Sequence, residues 1–355
     1  NLRHLHLWSN RISMIPNGFF RGTNNLRELL LWSNQISSLD GDTFAGLGEL
    51  QKLDLDDNQI TSVDGDTFRH LRRLQALHLG RNRISNIFAM TFSYLSNLRT
   101  LNLNGNNMET IYENSFSGLE KLATLGLQNN SLTFIPAFTD NKKLVVLYLQ
   151  DNRMRTIWAD TFDVLSALQV LDLSRNGLVS AGDTLVRGAK RLSQLYLDQN
   201  YLRNLKRSAI SKKAKLKTLS LIGNPFEFLQ PHVFSNLHKL LQLDLSNNVI
   251  DVIPDDAFIN CTQLNSLVLS NNKLTAIPAG GDFKGLSITE DLDLSNNRIT
   301  SIKAGNFEEL SCRNLNLQSN GLTSINGQLF AAVSTVGELL LNDNNLADLV
   351  AGTFD

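Results

Sequence analysis

A chain of 355 residues that is 42% hydrophobic and carries a formal net charge of −1 has ample apolar material for a core. The near-neutral balance gives no global signal for nucleic acid or a membrane surface as a partner, and no run approaches the ~18 consecutive apolar residues of a membrane helix. Two cysteines, Cys261 and Cys312, exclude both a small disulfide scaffold and a zinc site built mainly of thiolates.

The chain opens at Asn1 without the charged, apolar and small-residue zones of a signal peptide. Its first element is Leu5-His6-Leu7 followed by Asn10, and that arrangement recurs to the end. Asn10, Asn34, Asn58, Asn82, Asn106, Asn130, Asn152, Asn176, Asn200, Asn224, Asn248, Asn272, Asn297, Asn320 and Asn344 stand in register. Most steps are 24 residues, with exceptions of 22, 25 and 23. Side chains alternate along a strand, so the leucines of Leu-x-Leu point inward and the residue between them points out. The spacing therefore predicts one short strand per unit, paired with its neighbours in a parallel sheet. Fifteen strands at ~4.8 Å would give a sheet roughly 65–70 Å long. Each asparagine falls where the chain leaves its strand, where a side-chain amide can satisfy orphaned backbone groups. Asn34, Asn58, Asn82, Asn106, Asn176, Asn248 and Asn272 are among the residues expected to form this ladder. Phenylalanine follows ten places later at Phe20, Phe44, Phe68, Phe92, Phe116, Phe162, Phe234, Phe258, Phe307, Phe330 and Phe354, and fills the returning half. One unit cannot bury that apolar set, whereas a stack makes one continuous core.

The pattern L-x-x-L-x-L-x-x-N-x-L is that of a leucine-rich repeat. The 24-residue unit with its phenylalanine, and Ile-Pro ahead of it at Ile15-Pro16, Ile253-Pro254 and Ile277-Pro278, resembles the typical repeats of extracellular leucine-rich proteins. Toll-like receptor ectodomains, Slit-type guidance proteins, neuronal adhesion receptors and small matrix proteoglycans are built this way. The resemblance implies an α/β-type leucine-rich-repeat solenoid over residues 1–355, a curved horseshoe with a parallel concave β-sheet and mostly irregular convex returns. It implies an extracellular or cell-surface recognition module without enzymatic activity or cofactor, binding a protein or a glycan or other polyanion. The alternative is a secreted matrix protein acting through self-association, so a homo-oligomer is also among the expected partners. Such families close their ends with cysteine-rich caps. Neither cap is visible, so the reading expects a fragment, with any membrane span lying outside it.

Candidate recognition residues follow from the register as the two outward positions beside the second leucine of each strand. His6, Trp8, Leu30 and Trp32 form an aromatic and apolar patch, either an interface with a partner or a surface covered by the protein's own missing part. Asp54-x-Asp56-x-Asn58 imitates a calcium loop, but Gln59 stands where glycine is required, so no metal is expected. Tyr148, Asp172, Tyr196 and Asp198 form a second cluster suited to a basic or amide-rich protein. Serines 174, 220, 246, 270 and 295 occupy further outward positions. From Arg187 to Lys217 ten basic residues, including Lys206, Arg207, Lys212, Lys213, Lys215 and Lys217, face one acid, Asp198. Polyanion binding and a merely solvated face both fit that stretch. In the same two repeats, Val186 and Ile210 replace phenylalanine and Lys213 replaces a leucine. Asn129-Asn130-Ser131 and Asn260-Cys261-Thr262 match the glycosylation acceptor pattern. Both cysteines align with core leucines of other repeats and are expected to be buried free thiols.

Overall fold

In a computed structural model of the chain, residues 1–182, 185–210, 215–254, 257–277, 283, 286, 288–303, 305–307, 310–325, 333, 335–349 and 353 are described. Lys212, Lys213, Phe330, Phe354 and the inserted residues 279–282 lie outside the described residues. Two compact units account for the chain: Asn1–Gly177 with Val186–Arg191, and Leu178–Leu185 with Leu192–Asp355.

In the first unit the strands are β1 (His4–His6), β2 (Glu28–Leu30), β3 (Lys52–Asp54), β4 (Ala76–His78), β5 (Asn86–Ile87), β6 (Thr100–Asn102), β7 (Thr110–Ile111), β8 (Thr124–Gly126), β9 (Val146–Tyr148) and β10 (Val170–Asp172). Eight pair in parallel in chain order, while β5 and β7 pair with each other on the return side. The second unit carries β11 (Gln194–Tyr196), the four-residue helix α1 (Arg207–Ile210), β12 (Thr218–Ser220), β13 (Gln242–Asp244), β14 (Ser266–Val268), β15 (Asp291–Asp293), β16 (Ser311–Asn316) and β17 (Thr335–Leu340). Its strands too pair in parallel in chain order. The architecture is a parallel-strand leucine-rich-repeat solenoid with mostly irregular returns.

Register follows from the leucines. Leu29 faces Leu53, and Leu53 faces Leu77, one repeat apart. These middle leucines, and the second leucines such as Leu55 and Leu245, are fully buried. A slip of one residue would turn every leucine outward, so burial alone selects this register. In the returns a phenylalanine spine stacks from repeat to repeat, with Phe44–Phe68 and Phe68–Phe92 centroids 6.5 and 5.9 Å apart. Among the described residues the returns are too short and too interrupted for any helix longer than the four-residue α1. Gly46 illustrates the crowding: its φ is +97°, and a Cβ there would come 2.7 Å from the Phe20 carbonyl oxygen of the previous repeat.

The irregular repeats adapt in the return rather than in the strand. In the 22-residue repeat, Phe138 takes the spine position two places early and stacks 5.8 Å from Phe116. In the 25-residue repeat, Phe283 does so late, 6.4 Å from Phe258. A fixed count of ten residues from the asparagine misses both. Val186 and Ile210 are buried where phenylalanine would otherwise sit. Cys261 and Cys312 are buried free thiols, as expected. The Cys261 thiol donates to the Phe234 carbonyl at 3.1 Å, and burial pushes both thiols up to about 11.

The asparagine ladder ties each repeat to the one before it. Asn58 Nδ2 donates to its own Leu55 carbonyl at 3.1 Å and to Leu31 of the preceding repeat at 3.0 Å, and its Oδ1 accepts from Ile36 N at 2.9 Å. The same three bonds recur at Asn34, Asn82, Asn106 and Asn176 in the first unit and at Asn248 and Asn272 in the second. Just before each asparagine the backbone turns left-handed, as at Ser33 (φ 57°), Asp57 (φ 54°) and Asn247 (φ 57°). Arg81 and Arg175 occupy that turn as well, and their guanidiniums grip the equivalent aspartates Asp57 and Asp151 one repeat back, each at 2.5 Å. These pairs are half exposed, so their contribution is small.

Candidate recognition surface

The outward residues of the first-unit sheet divide into three zones. At β1 and β2, Trp8 and Trp32 lie parallel, with ring centroids 4.8 Å apart and planes within 4°. Register one repeat apart places the two indoles in the same column, and strand spacing sets the stacking distance. Trp8 is 45% exposed, so the stack presents its open face to solvent. Beside it, His4, His6 and Lys52 converge on one carboxylate, Glu28, at 3.0, 3.7 and 3.2 Å. The hydrogen bond from His4, followed by that from Lys52, holds Glu28 below the usual carboxylate range. Leu30 lies half-buried between these groups, so the structure brings together all four residues expected in the patch.

The middle zone, β3 to β9, carries Asp54, Asp56, His78, Asn102, Asn104, Gln128 and Gln150 in outward columns. Asp56 Oδ1 accepts from Gly80 N at 2.6 Å, and its Oδ2 lies 3.5 Å from Asn102 Nδ2. Burial, then the neighbouring Asp54 charge, raises the Asp56 carboxyl above its ordinary value. At the far end Tyr148 on β9 faces Asp172 on β10. Asp172 Oδ1 also accepts from Ser174 N at 2.9 Å, so part of its accepting capacity serves its own chain.

In the second unit, Tyr196 is half-buried and edges a shallow hollow with Thr218, Ser220, Gln242, Asp244 and Val268. Asp198 accepts from the Ser220 hydroxyl at 2.6 Å and from Ile222 N at 2.9 Å. The expected cluster of Tyr148, Asp172, Tyr196 and Asp198 is thus described as two halves, one in each unit. Serines 174, 220, 246, 270 and 295, expected to face outward, are buried at 4 to 7% exposure. Their side chains are too short to emerge between longer neighbours. The aspartates at the preceding outward position, Asp172, Asp244 and Asp293, hold the backbone N–H of Ser174, Ser246 and Ser295, which gives the recurring Leu-Asp-Leu-Ser a structural reason.

The basic stretch is less unbalanced in space than in sequence. Arg187 pairs with Asp163 in the first unit, and Arg203 pairs with Glu227 at 3.2 Å in the second. Lys206, Arg207, Lys215 and Lys217 are exposed around α1, whose Ala209 and Ile210 are buried. Asn129 and Asn260 are both exposed, each in a left-handed turn, and Asn260 Nδ2 donates to Asn236 Oδ1 at 2.9 Å.

One surface escaped the sequence reading. On the return side of the first unit, Phe88 and Tyr112 stack at 5.2 Å and Phe134 and Trp158 at 5.5 Å. Phe88, Tyr112 and Trp158 are about half exposed, with Met90 exposed nearby. The available signal was an aromatic six places after Asn82, Asn106 and Asn152, in the return rather than at the outward strand positions. Among the described residues no group of metal-ligating side chains and no helix long and apolar enough to cross a membrane is present.

The family model described as leucine rich repeat matches residues 1–60, 24–84, 49–104, 72–132, 135–178, 166–226, 190–250, 214–274 and 262–312. A solved leucine-rich-repeat protein of Leptospira interrogans is 25% identical, covering 98% of this chain and 80% of its own, with a TM-score of 0.74. Drosophila Toll, solved in complex with Spatzle, is 24% identical over 96% of this chain, with a TM-score of 0.82; the chain spans 47% of it. TLR13, solved with ssRNA13, is 19% identical, covering 99% of this chain and 76% of its own, with a TM-score of 0.65. No curated protein sequence matches the chain.

Proposed function

Because the chain belongs to the leucine-rich-repeat family, we propose that it is an extracellular recognition module, the ectodomain part of a Toll-like or adhesion-type receptor, that binds a protein ligand on its sheet face. The observation that carries this reading is the exposed Trp8–Trp32 stack. Paired indoles offer a large rigid apolar face at small entropic cost, the kind of group that anchors interfaces. Toll is in complex with Spatzle and TLR13 with an RNA. The carboxylates of Asp54 and Asp56, next to the indoles in register, oppose a polyanion there and favour a protein. Immobilised wild type and Trp8→Ala/Trp32→Ala chains, exposed to the same extracellular fluid, test the reading. A partner bound by the wild type and lost from the folded double variant is the expected result; identical bound proteins would overturn it.

A second reading, a secreted matrix protein acting through self-association, is favoured by the exposed aromatic run from Phe88 to Trp158. It expects a concentration-dependent dimer in sedimentation that Tyr112→Ser/Trp158→Ser disperses. Polyanion binding by Lys206, Arg207, Lys215 and Lys217 expects heparin retention that charge reversal at Lys215 and Lys217 reduces. Both asparagines of the acceptor triplets, Asn129 and Asn260, are exposed enough to carry glycans, so secreted protein should lose mass with Asn129→Gln or Asn260→Gln.

A further inference from the structure

Among the described residues, five buried side-chain polar atoms lack a hydrogen-bond partner, and three of them are one kind of atom at one register position: Asn104 Oδ1, Gln128 Oε1 and Gln150 Oε1. They sit just beyond β6, β8 and β9, which are consecutive in the first-unit sheet. Neighbouring strands lie ~4.8 Å apart, so the three carbonyl oxygens form a row about 10 Å long. A buried acceptor without a donor is costly, and three in a row are not scattered packing defects. The backbone makes room for two of them. At Gly80 any Cβ would collide with Asn104 Oδ1, and at Gly126 it would come 3.0 Å from Gln128 Oε1 and from Asn102 Oδ1. The two glycines leave hollows into which the Asn104 and Gln128 amides fold.

The row continues into negative charge. Asp56 lies two strands from Asn104 on the same column, and Asp54 on the column beside it, in register with Asn102. Of the basic groups nearby, Arg81 is held by Asp57, Lys52 is engaged with Glu28, and His78 stands opposite Asp54 on β4. Asp56 is mostly buried and its carboxyl is raised by burial and by Asp54, a cost that a bound cation would relieve. The ligand this surface lacks is therefore rich in donors, poor in acceptors and positively charged. An arginine side chain has those properties together: five N–H donors in a planar fork, no acceptor and a permanent charge. A glycan hydroxyl brings an acceptor with every donor, and a nucleic acid brings phosphates that the carboxylates repel.

We propose that the sheet face from β3 to β9 is a docking track for an extended arginine-bearing peptide segment, with Asp54 and Asp56 taking a guanidinium and the amides of Asn104, Gln128 and Gln150 turning outward so that their orphaned carbonyl oxygens accept further N–H donors. This rests on the reading of the sheet face as the protein-binding surface and specifies the chemistry of that partner.

Fluorescence anisotropy with a labelled alternating arginine–glycine octapeptide, at about physiological ionic strength, tests it against citrulline and lysine versions of the peptide. The arginine peptide should bind saturably and about tenfold more tightly than the citrulline one, as loss of charged hydrogen bonds requires. Asp54→Asn/Asp56→Asn should weaken it about tenfold and Gln128→Met/Gln150→Met about fivefold, whereas the exposed, remote Asp140→Asn should leave it unchanged. Absent saturable binding, binding indifferent to the Asp54/Asp56 or Gln128/Gln150 variants, or equal binding of the lysine peptide overturns the assignment. The Trp8→Ala/Trp32→Ala chain separates this inference from the broader one. If that variant loses a captured protein while no arginine peptide binds the wild type, the track fails and the recognition surface stands.

Discussion

At the scale of single residues, the ladder asparagines and Asp56 have opposite relations to stability. Asn58 satisfies two carbonyls and one N–H in two repeats while itself buried. Asn58→Ala strands all three groups and should cost roughly 2–4 kcal/mol at about one net hydrogen bond each. Asn10, exposed and bonded only within its own repeat to Leu7 and Trp8, should tolerate alanine with a far smaller shift in urea midpoint. Asp56 is the reverse case. Its folded carboxyl is raised, so the native state holds that proton more tightly than the unfolded chain does. The stability tied to this proton is present below the unfolded value and is lost as pH rises through the folded one. Asp56→Asn keeps an acceptor for Gly80 N and removes the charge. It should raise the urea midpoint at neutral pH and lose that advantage near pH ~3, below the ordinary aspartate value of about 3.9. A residue that weakens the fold in this way is one whose retention fits a binding role.

At the scale of the element, strand and return obey different rules. The strand is rigidly periodic because a leucine displaced by one place would point into water. The return tolerates 22 or 25 residues because its spine needs only one aromatic at the right height, whichever residue supplies it. Phe258 lies in the middle of such a spine, 5.8 Å from Phe234 and 6.4 Å from Phe283, fully buried. Phe258→Ala should cost about 3–5 kcal/mol through the cavity and the lost stacking, readable as a drop in the denaturation midpoint. Phe258→Leu, closer in volume, should cost visibly less. An unchanged midpoint for the alanine variant would argue against the spine as a source of stability.

For the whole molecule, repeats contact chiefly their neighbours, so damage should stay local. Leu245→Ala in the second unit removes a fully buried side chain and should cost ~2–5 kcal/mol. Hydrogen exchange should then quicken most at β12 to β14 and progressively less toward β17. Uniform quickening across that unit would mean that it unfolds as one cooperative body.

Much of this was legible from residues alone, for physical reasons that particular positions make clear. Leu53, Leu55 and Asn58 repeat because each repeat solves the same local problem, burying two leucines and capping one bend, so periodicity in the chain maps directly onto strands, register and ladder. The same periodicity puts Trp8 beside Trp32, since residues one repeat apart must share a column. What depends on neighbours from other repeats was not legible. The serines of Leu-Asp-Leu-Ser occupy outward positions yet are buried, because the aspartate two places back and longer side chains close over them. Arg187 and Arg203 stand in a basic run yet find Asp163 and Glu227 one repeat away. Asn104 and Gln128 read as ordinary polar surface until the hollows at Gly80 and Gly126 fold their amides inward. Local pattern determined the scaffold, because every repeat imposes the same requirements on its own residues. Only tertiary structure decided the chemistry of the face, because burial, pairing and orphaned acceptors are properties of side chains brought together across strands.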